Sequence, residues 1–175
     1  MKKNIIFPVR DYSFDDLCVG DEVTISGCLY VARDAAHKKL IEAIEGNEVL
    51  PIPIENNLIY YMGPSPAPEG TVIGSCGPTT SIRMDAYTVA LLEKGLKATM
   101  GKGVRGDAMA VACKKYGAIY LVTYGGCGAY LRQFVTKMEV VAYPDLGPEA
   151  IFKLNIENFP AIVGIDTKGN NLYNT

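Results

Sequence analysis

From residue 71 onward the chain alternates between short apolar runs and helix-length amphipathic stretches, and that alternation limits its fold more than any other feature. Residues 71–75, 96–100, 118–123, 139–143 and 161–166 read as strands. Between them, residues 81–94 place Met84, Tyr87, Thr88, Leu91 and Leu92 on one helical face, with Gly95 closing it. A second helix from Asp107 aligns Met109, Ala112, Cys113 and Tyr116 and ends at Gly117, and residues 129–135 suggest a short third. Strands separated by such helices form βαβ units in a mainly parallel sheet. The run Gly63-Pro64-Ser65-Pro66-Ala67-Pro68-Glu69-Gly70 can be neither helix nor interior strand, and it divides this half from an earlier one. There, strands at 23–32 and 58–62 flank a helix capped by Asp34, with Ala36, Leu40 and Ile44 on its face and Gly46-Asn47 at its end. The expectation is an α/β fold, one domain over residues 1–175.

Composition removes several functions. Seventeen Lys and Arg against nineteen Asp and Glu give a net charge of −2, no footprint for nucleic acid or an anionic membrane. One His, and five Cys without a C-x-x-C pair, supply neither a zinc site nor a self-contained iron–sulfur site, so no metal ligands are assigned to this chain. The apolar patch Ile5-Ile6-Phe7-Pro8-Val9 is too short for a signal sequence, and no run approaches the ~20 apolar residues of a membrane span. A cytoplasmic protein with free thiols is expected.

Parallel sheets bind ligands beyond the carboxyl ends of their strands, so the strand-to-helix loops carry the functional reading. In Cys76-Gly77-Pro78-Thr79-Thr80-Ser81-Ile82-Arg83-Met84-Asp85, Thr79 or Thr80 can cap a helix whose N-terminus favours an anion. Arg83 falls in the first turn, against the helix dipole; it either pairs with Asp85 or another carboxylate, or shares an anionic ligand with the helix. Gly101-Lys102-Gly103-Val104-Arg105-Gly106 matches G-x-G-x-x-G, but Thr123-Tyr124-Gly125 stands where a dinucleotide site needs an acidic residue. A flexible loop aiming Lys102 into the mouth that Arg83 lines is the better reading; a nucleotide-binding module is the alternative of another class. Arg105-Gly106-Asp107 spells an adhesion tripeptide without meaning in an unsecreted chain. In Arg33-Asp34-Ala35-Ala36-His37, Arg33 precedes a helix as Arg83 does, and His37 reads as an exposed or satisfied first-turn side chain. Gly125-Gly126-Cys127-Gly128 permits close backbone approach, with Cys127 read as structural or incidental and a reactive thiol at a helix start as the alternative. Two guanidinium forks and an ammonium suit a ligand with two carboxylates. With no nucleophile–base pair and no metal cluster beside them, these residues look like half of a site.

At these residues the chain resembles the β subunit, or C-terminal domain, of the class I iron–sulfur fumarases and tartrate dehydratases. The resemblance rests on Gly77-Pro78-Thr79-Thr80-Ser81-Ile82-Arg83-Met84-Asp85 combined with Gly101-Lys102-Gly103, on Arg33-Asp34-Ala35-Ala36-His37, and on two tail stretches. These are Val140-Val141-Ala142-Tyr143-Pro144-Asp145-Leu146-Gly147-Pro148-Glu149-Ala150 and Asn158-Phe159-Pro160-Ala161-Ile162-Val163. It implies a swivelling β/β/α domain whose strand-to-helix loops form half of an active site. It also implies a partner α subunit, in a heterodimer or heterotetramer, holding a 4Fe–4S cluster whose open iron acts as Lewis acid. Arg33, Arg83 and Lys102 would then clamp the substrate carboxylates, and Thr79 would bind substrate and serve in proton transfer. The reaction implied is reversible hydration of fumarate to malate, a hydro-lyase step of the tricarboxylic acid cycle, with this chain inactive alone. The chain departs from the usual fumarase pattern at Val104-Arg105-Gly106-Asp107 and at Gly125-Gly126-Cys127-Gly128, and Ser81-x-Arg83-Met84 is shared with tartrate dehydratases. Fumarate leads on the tail stretches; a tartrate dehydratase β subunit is the alternative.

Overall fold

The computed structural model describes residues 2–174. Seven strands make one sheet: β1 (Lys3–Phe7), β2 (Glu22–Val31), β3 (Leu58–Tyr60), β4 (Ala98–Gly101), β5 (Ile119–Val122), β6 (Val135–Ala142) and β7 (Ile151–Ile165). The helices are α1 (Asp34–Glu45), α2 (Asp85–Glu93), α3 (Asp107–Tyr116) and the single turn α4 (Gly128–Leu131). A 3-10 turn over Ser81–Met84 leads into α2.

Strands β1 to β5 lie side by side in parallel, and β7 runs antiparallel to β2, β5 and β6. Because β7 pairs with both β5 and β2, the series β2–β3–β4–β5–β7 returns to its start and the sheet partly closes. The sheet is therefore parallel where helices cross between strands and antiparallel around one long strand. Alternation along each strand sorts side chains between two cores. Leu58, Tyr60, Met100 and Leu121 join Ile5, Phe7, Ile25 and Leu154 on one face. Ile59, Tyr61 and Tyr120 meet Leu40, Met84, Leu91 and Met109 from the helices on the other.

The periodic segments formed as expected, and the differences have local causes. Residues 71–75 make no strand: Ser65 and Ser75 bond to each other through backbone and hydroxyl, which ties this segment to the proline-rich stretch instead of the sheet. The apolar patch at the N-terminus is an edge strand, with Ile5 and Phe7 inside and Ile6 outside. β7 begins ten residues before the expected 161, because Asn155, Glu157 and Asn158 face outward and hide the pattern. Asn158 adopts a left-handed φ of 52°, and its N–H donates to Ser26 Oγ at 3.0 Å. Asp34 does not cap α1: Arg33 occupies the cap position without a side-chain cap bond, and Asp34 is the first helical residue. An acidic side chain there still favours the helix dipole.

Candidate active site

The carboxyl ends of β2, β3, β4 and β5 point the same way because these strands are parallel, and each hands over to a loop at that edge. The Thr79 loop is stitched between two of them. Tyr61, just beyond β3, accepts the Thr79 amide at 2.8 Å through its carbonyl. On the other side Lys102 N–H donates to the Thr79 carbonyl at 3.3 Å, and Ser81 N–H to the Lys102 carbonyl at 3.0 Å. The backbone of residues 79–81 thus wedges between the ends of β3 and β4, and the sequence-predicted Thr79 and Lys102 become neighbours.

Neither threonine caps a helix by its side chain: Thr80 stands at the cap position without such a bond, and the Thr79 hydroxyl donates to the Tyr61 carbonyl at 3.3 Å. The tighter 3-10 turn intervenes before α2, so Thr79 sits in an extended segment and not at an α-helix terminus.

Arg83 pairs with Asp34, Nη2 to Oδ2 at 3.2 Å, and not with Asp85. That contact joins the start of α1 to the turn before α2 and sets Arg83 beside the residue following Arg33. Of the four predicted residues, Arg33, Thr79 and Lys102 are half-buried and Arg83 is exposed. Lys102 runs along the backbone at Gly125, where a Cβ would come within 3.2 Å of Lys102 Cδ. The loop of Gly125-Gly126-Cys127-Gly128 therefore borders the same mouth, with Cys127 exposed.

Two residues act differently from their sequence reading. Arg105, in the supposed incidental tripeptide, is 4% exposed. Its Nε donates to the Asp85 carboxylate, Nη1 to Thr99 Oγ1 at 3.1 Å, and Nη2 to Thr88 Oγ1 at 3.0 Å. Its guanidinium also lies 4.9 Å from the Tyr120 ring centroid and 5.3 Å from that of Tyr61. The other Asp85 oxygen accepts the Gly106 N–H at 2.7 Å, and Tyr120 donates to the Gly103 carbonyl at 2.8 Å. The glycine loop presenting Lys102 is thereby pinned, not flexible, and an internal carboxylate occupies the start of α3 where a nucleotide phosphate would bind. No local sequence pattern links Arg105 to Asp85; only their juxtaposition across α2 and α3 does.

Of the two expectations for His37, exposed or satisfied, exposure fails because the ring is fully buried, and satisfaction is reached at one of its two nitrogens. Its Nδ1 lies 2.8 Å from the Arg33 carbonyl and donates to it, while Nε2 has no partner among the described residues. Burial pushes its pKa down to about 4, against the pull of that hydrogen bond, so the ring is neutral near pH 7. Arg33 Nε is likewise buried without a partner.

The donor set does not fit a metal cluster. Among the described residues, no group of three or more His, Cys, Asp or Glu could hold a metal ion. Burial raises the Cys76 and Cys113 thiols to about 12, which disfavours the thiolate a cluster iron requires. No described helix is long and apolar enough to cross a membrane.

The fold is thus a partly closed α/β sheet with Arg33, Thr79, Arg83 and Lys102 on the loops at the carboxyl ends of its parallel strands. The sequence pattern of the family described as Fumarase C-terminus matches residues 8–175, and the chain belongs to that family. It is 43% identical over 157 residues to "Fumarate hydratase class I, aerobic" of Escherichia coli K12, covering 89% of this chain and 29% of that protein. Similarity to "Fumarate hydratase 2" of Leishmania major is 43% over 158 residues, or 89% and 28% of the two chains. A chain of Methanocaldococcus jannaschii, provisionally named L(+)-tartrate dehydratase subunit beta, is 39% identical over 163 residues, 90% of this chain and 84% of its own length. This chain thus spans less than a third of those two fumarate hydratases and most of the subunit-sized relative.

Proposed function

We propose that this chain is the β subunit of a two-subunit iron–sulfur hydro-lyase that reversibly hydrates fumarate to malate, its strand-to-helix loops forming half of the active site. The supporting observation is the gathering of Arg33, Thr79, Arg83 and Lys102 at the carboxyl edge of β2, β3 and β4, in a chain of the Fumarase C-terminus family. The chain forms one domain that swivels against its partner, and it acts in the cytoplasm. Its donor set does not fit a 4Fe–4S cluster, which this reading assigns to a cluster-bearing α subunit.

Arg33, Arg83 and Lys102 hold the two carboxylates of a C4 dicarboxylate, the arginines as planar forks and the lysine as a point charge. Arg33 Nε, buried without an acceptor among the described residues, is the donor such a carboxylate satisfies. Arg83 exchanges Asp34 for substrate at little cost, because the exposed pair is weak. In dehydration the proton leaves carbon toward the Thr79 hydroxyl. A threonine is a poor base alone, so its own proton passes to an acidic residue of the partner. Hydration reverses these transfers.

The test is coexpression with a cluster-bearing α subunit, followed by assay of fumarate hydration. Activity is expected only in the assembly, and Arg83→Ala should lower kcat/KM roughly 100- to 1000-fold, without rescue by Arg83→Lys. Full activity from this chain alone without iron, or unchanged kinetics in both Arg83→Ala and Lys102→Ala, would overturn the reading. The subunit-sized relative named for L(+)-tartrate favours that diacid as the second substrate to assay.

A further inference from the structure

We infer that Gly63 and His37 are positioning residues that together seat the Arg33 guanidinium at the mouth. The inference rests on the reading of Arg33 as a carboxylate-binding residue. A Cβ on Gly63 would stand 2.5 Å from Arg33 Cζ and 2.8 Å from both Nε and Nη2. Real Cβ atoms essentially never come within 3.0 Å of a neighbour, so the guanidinium lies against this backbone at a distance only glycine allows. Gly63 is not among the positive-φ glycines, which leaves close approach, and not backbone conformation, as the requirement for a missing side chain.

His37 fixes the other end of the same residue. Its Nδ1–H and its own amide both donate to the Arg33 carbonyl, at 2.8 and 2.9 Å. Its ring is wedged against Tyr61 and Tyr87, with centroids 5.4 and 5.8 Å away. Arg33 Nε has no acceptor among the described residues, so packing sets the direction of this donor: the backbone is held by His37 and the head by Gly63. Nothing in the local sequence marks Gly63, which reads simply as the start of a proline-rich turn.

A double-mutant cycle tests this in the chain assembled with the subunit or domain that completes it. Gly63→Ala should fold and assemble normally, while kcat/KM for fumarate falls about 10- to 100-fold, mostly through KM, because a displaced fork misaligns the carboxylate. In an Arg33→Ala background the same substitution should change kcat/KM less than about twofold, since the group it displaces is gone. If Gly63→Ala does not assemble, His37→Phe, which keeps the ring and removes Nδ1–H, takes its place in the cycle with a smaller rise in KM. Wild-type kinetics for the positioning variant beside an impaired Arg33→Ala, or losses that multiply in the double variant, would overturn the inference. Wild-type kinetics for Arg33→Ala would instead sink the carboxylate-binding reading. A crystal structure of Gly63→Ala then decides the seat: a displaced guanidinium supports it, and one left in place overturns it.

Discussion

Arg33 and Arg105 follow the ends of two parallel strands at one edge of the sheet, yet their surroundings are opposite. Arg105 is enclosed and its donors are spent on Asp85, Thr99 and Thr88, with aromatic rings on its faces. Arg33 is half-buried, packed on a glycine, and carries a buried Nε with no acceptor among the described residues. A guanidinium whose hydrogen bonds are filled by its own chain holds structure together and has little left for a ligand. One seated by shape but left short of acceptors keeps its binding capacity. Sequence position does not separate the two; satisfaction of their donors does.

The sharpest way to break this contrast is to remove each charge with a side chain of similar reach. Arg105→Met leaves the Asp85 carboxylate, 22% exposed, without its cation and takes from the Thr99 hydroxyl the Nη1 donor it accepts. Loss of one partner of a buried pair costs about 3–5 kcal/mol, and denaturant unfolding should show a midpoint lowered accordingly. Arg33→Met removes an already unsatisfied donor and should cost less than about 1 kcal/mol. Equal losses in the two variants would end the distinction between a structural and a ligand-binding arginine.

His37 sharpens it through pH. Its folded pKa of about 4 lies below the ordinary 6.5, so the unfolded chain binds the proton more readily. Arg105 opposes protonation and Asp34 favours it, with burial the dominant cause. The stabilisation is complete above pH 6.5 and is lost as pH falls from 6.5 toward about 4, by about 3 kcal/mol at most. Stability measured across that window should slope downward with acid, and His37→Phe should remove this component. A wild-type profile flat between these pH values would contradict the buried, neutral ring that holds the Arg33 carbonyl.

Much of the frame is legible in the sequence. α1 and α3 follow from apolar spacing, and Gly117 ends α3 in the left-handed conformation expected of it. The four candidate residues could be placed at one edge because parallel strands bring their following loops together. What was hidden is long-range. The Arg105–Asp85 contact spans two helices, the seat at Gly63 depends on an arginine thirty positions earlier, and β7 is masked by outward polar residues at its bend. Periodicity reports which face a residue takes, not which distant group it meets there. The expected threonine cap failed for a related reason: the backbone of residues 79–81 is stitched to Tyr61 and Lys102, distant in sequence, which holds the Thr79 hydroxyl against the Tyr61 carbonyl and away from the helix N–H groups a cap would accept.

The smallest expected effect concerns Arg83 and Asp34, the pair that joins the two loops. Their side chains are 51% and 42% exposed, and the one contact is a single 3.2 Å approach and not a bidentate fork. Water competes for both groups and ordering two side chains costs entropy, so such a pair contributes about 0–1 kcal/mol. Arg83→Ala should therefore unfold at nearly the wild-type denaturant concentration while losing activity in the assembly. Asp34→Asn should be equally mild for stability, and by releasing Arg83 from its competitor it should leave dicarboxylate affinity unchanged or modestly tighter. A fall of several kcal/mol in either variant would move Arg83 to the side of Arg105, as a residue whose cation is committed to the fold.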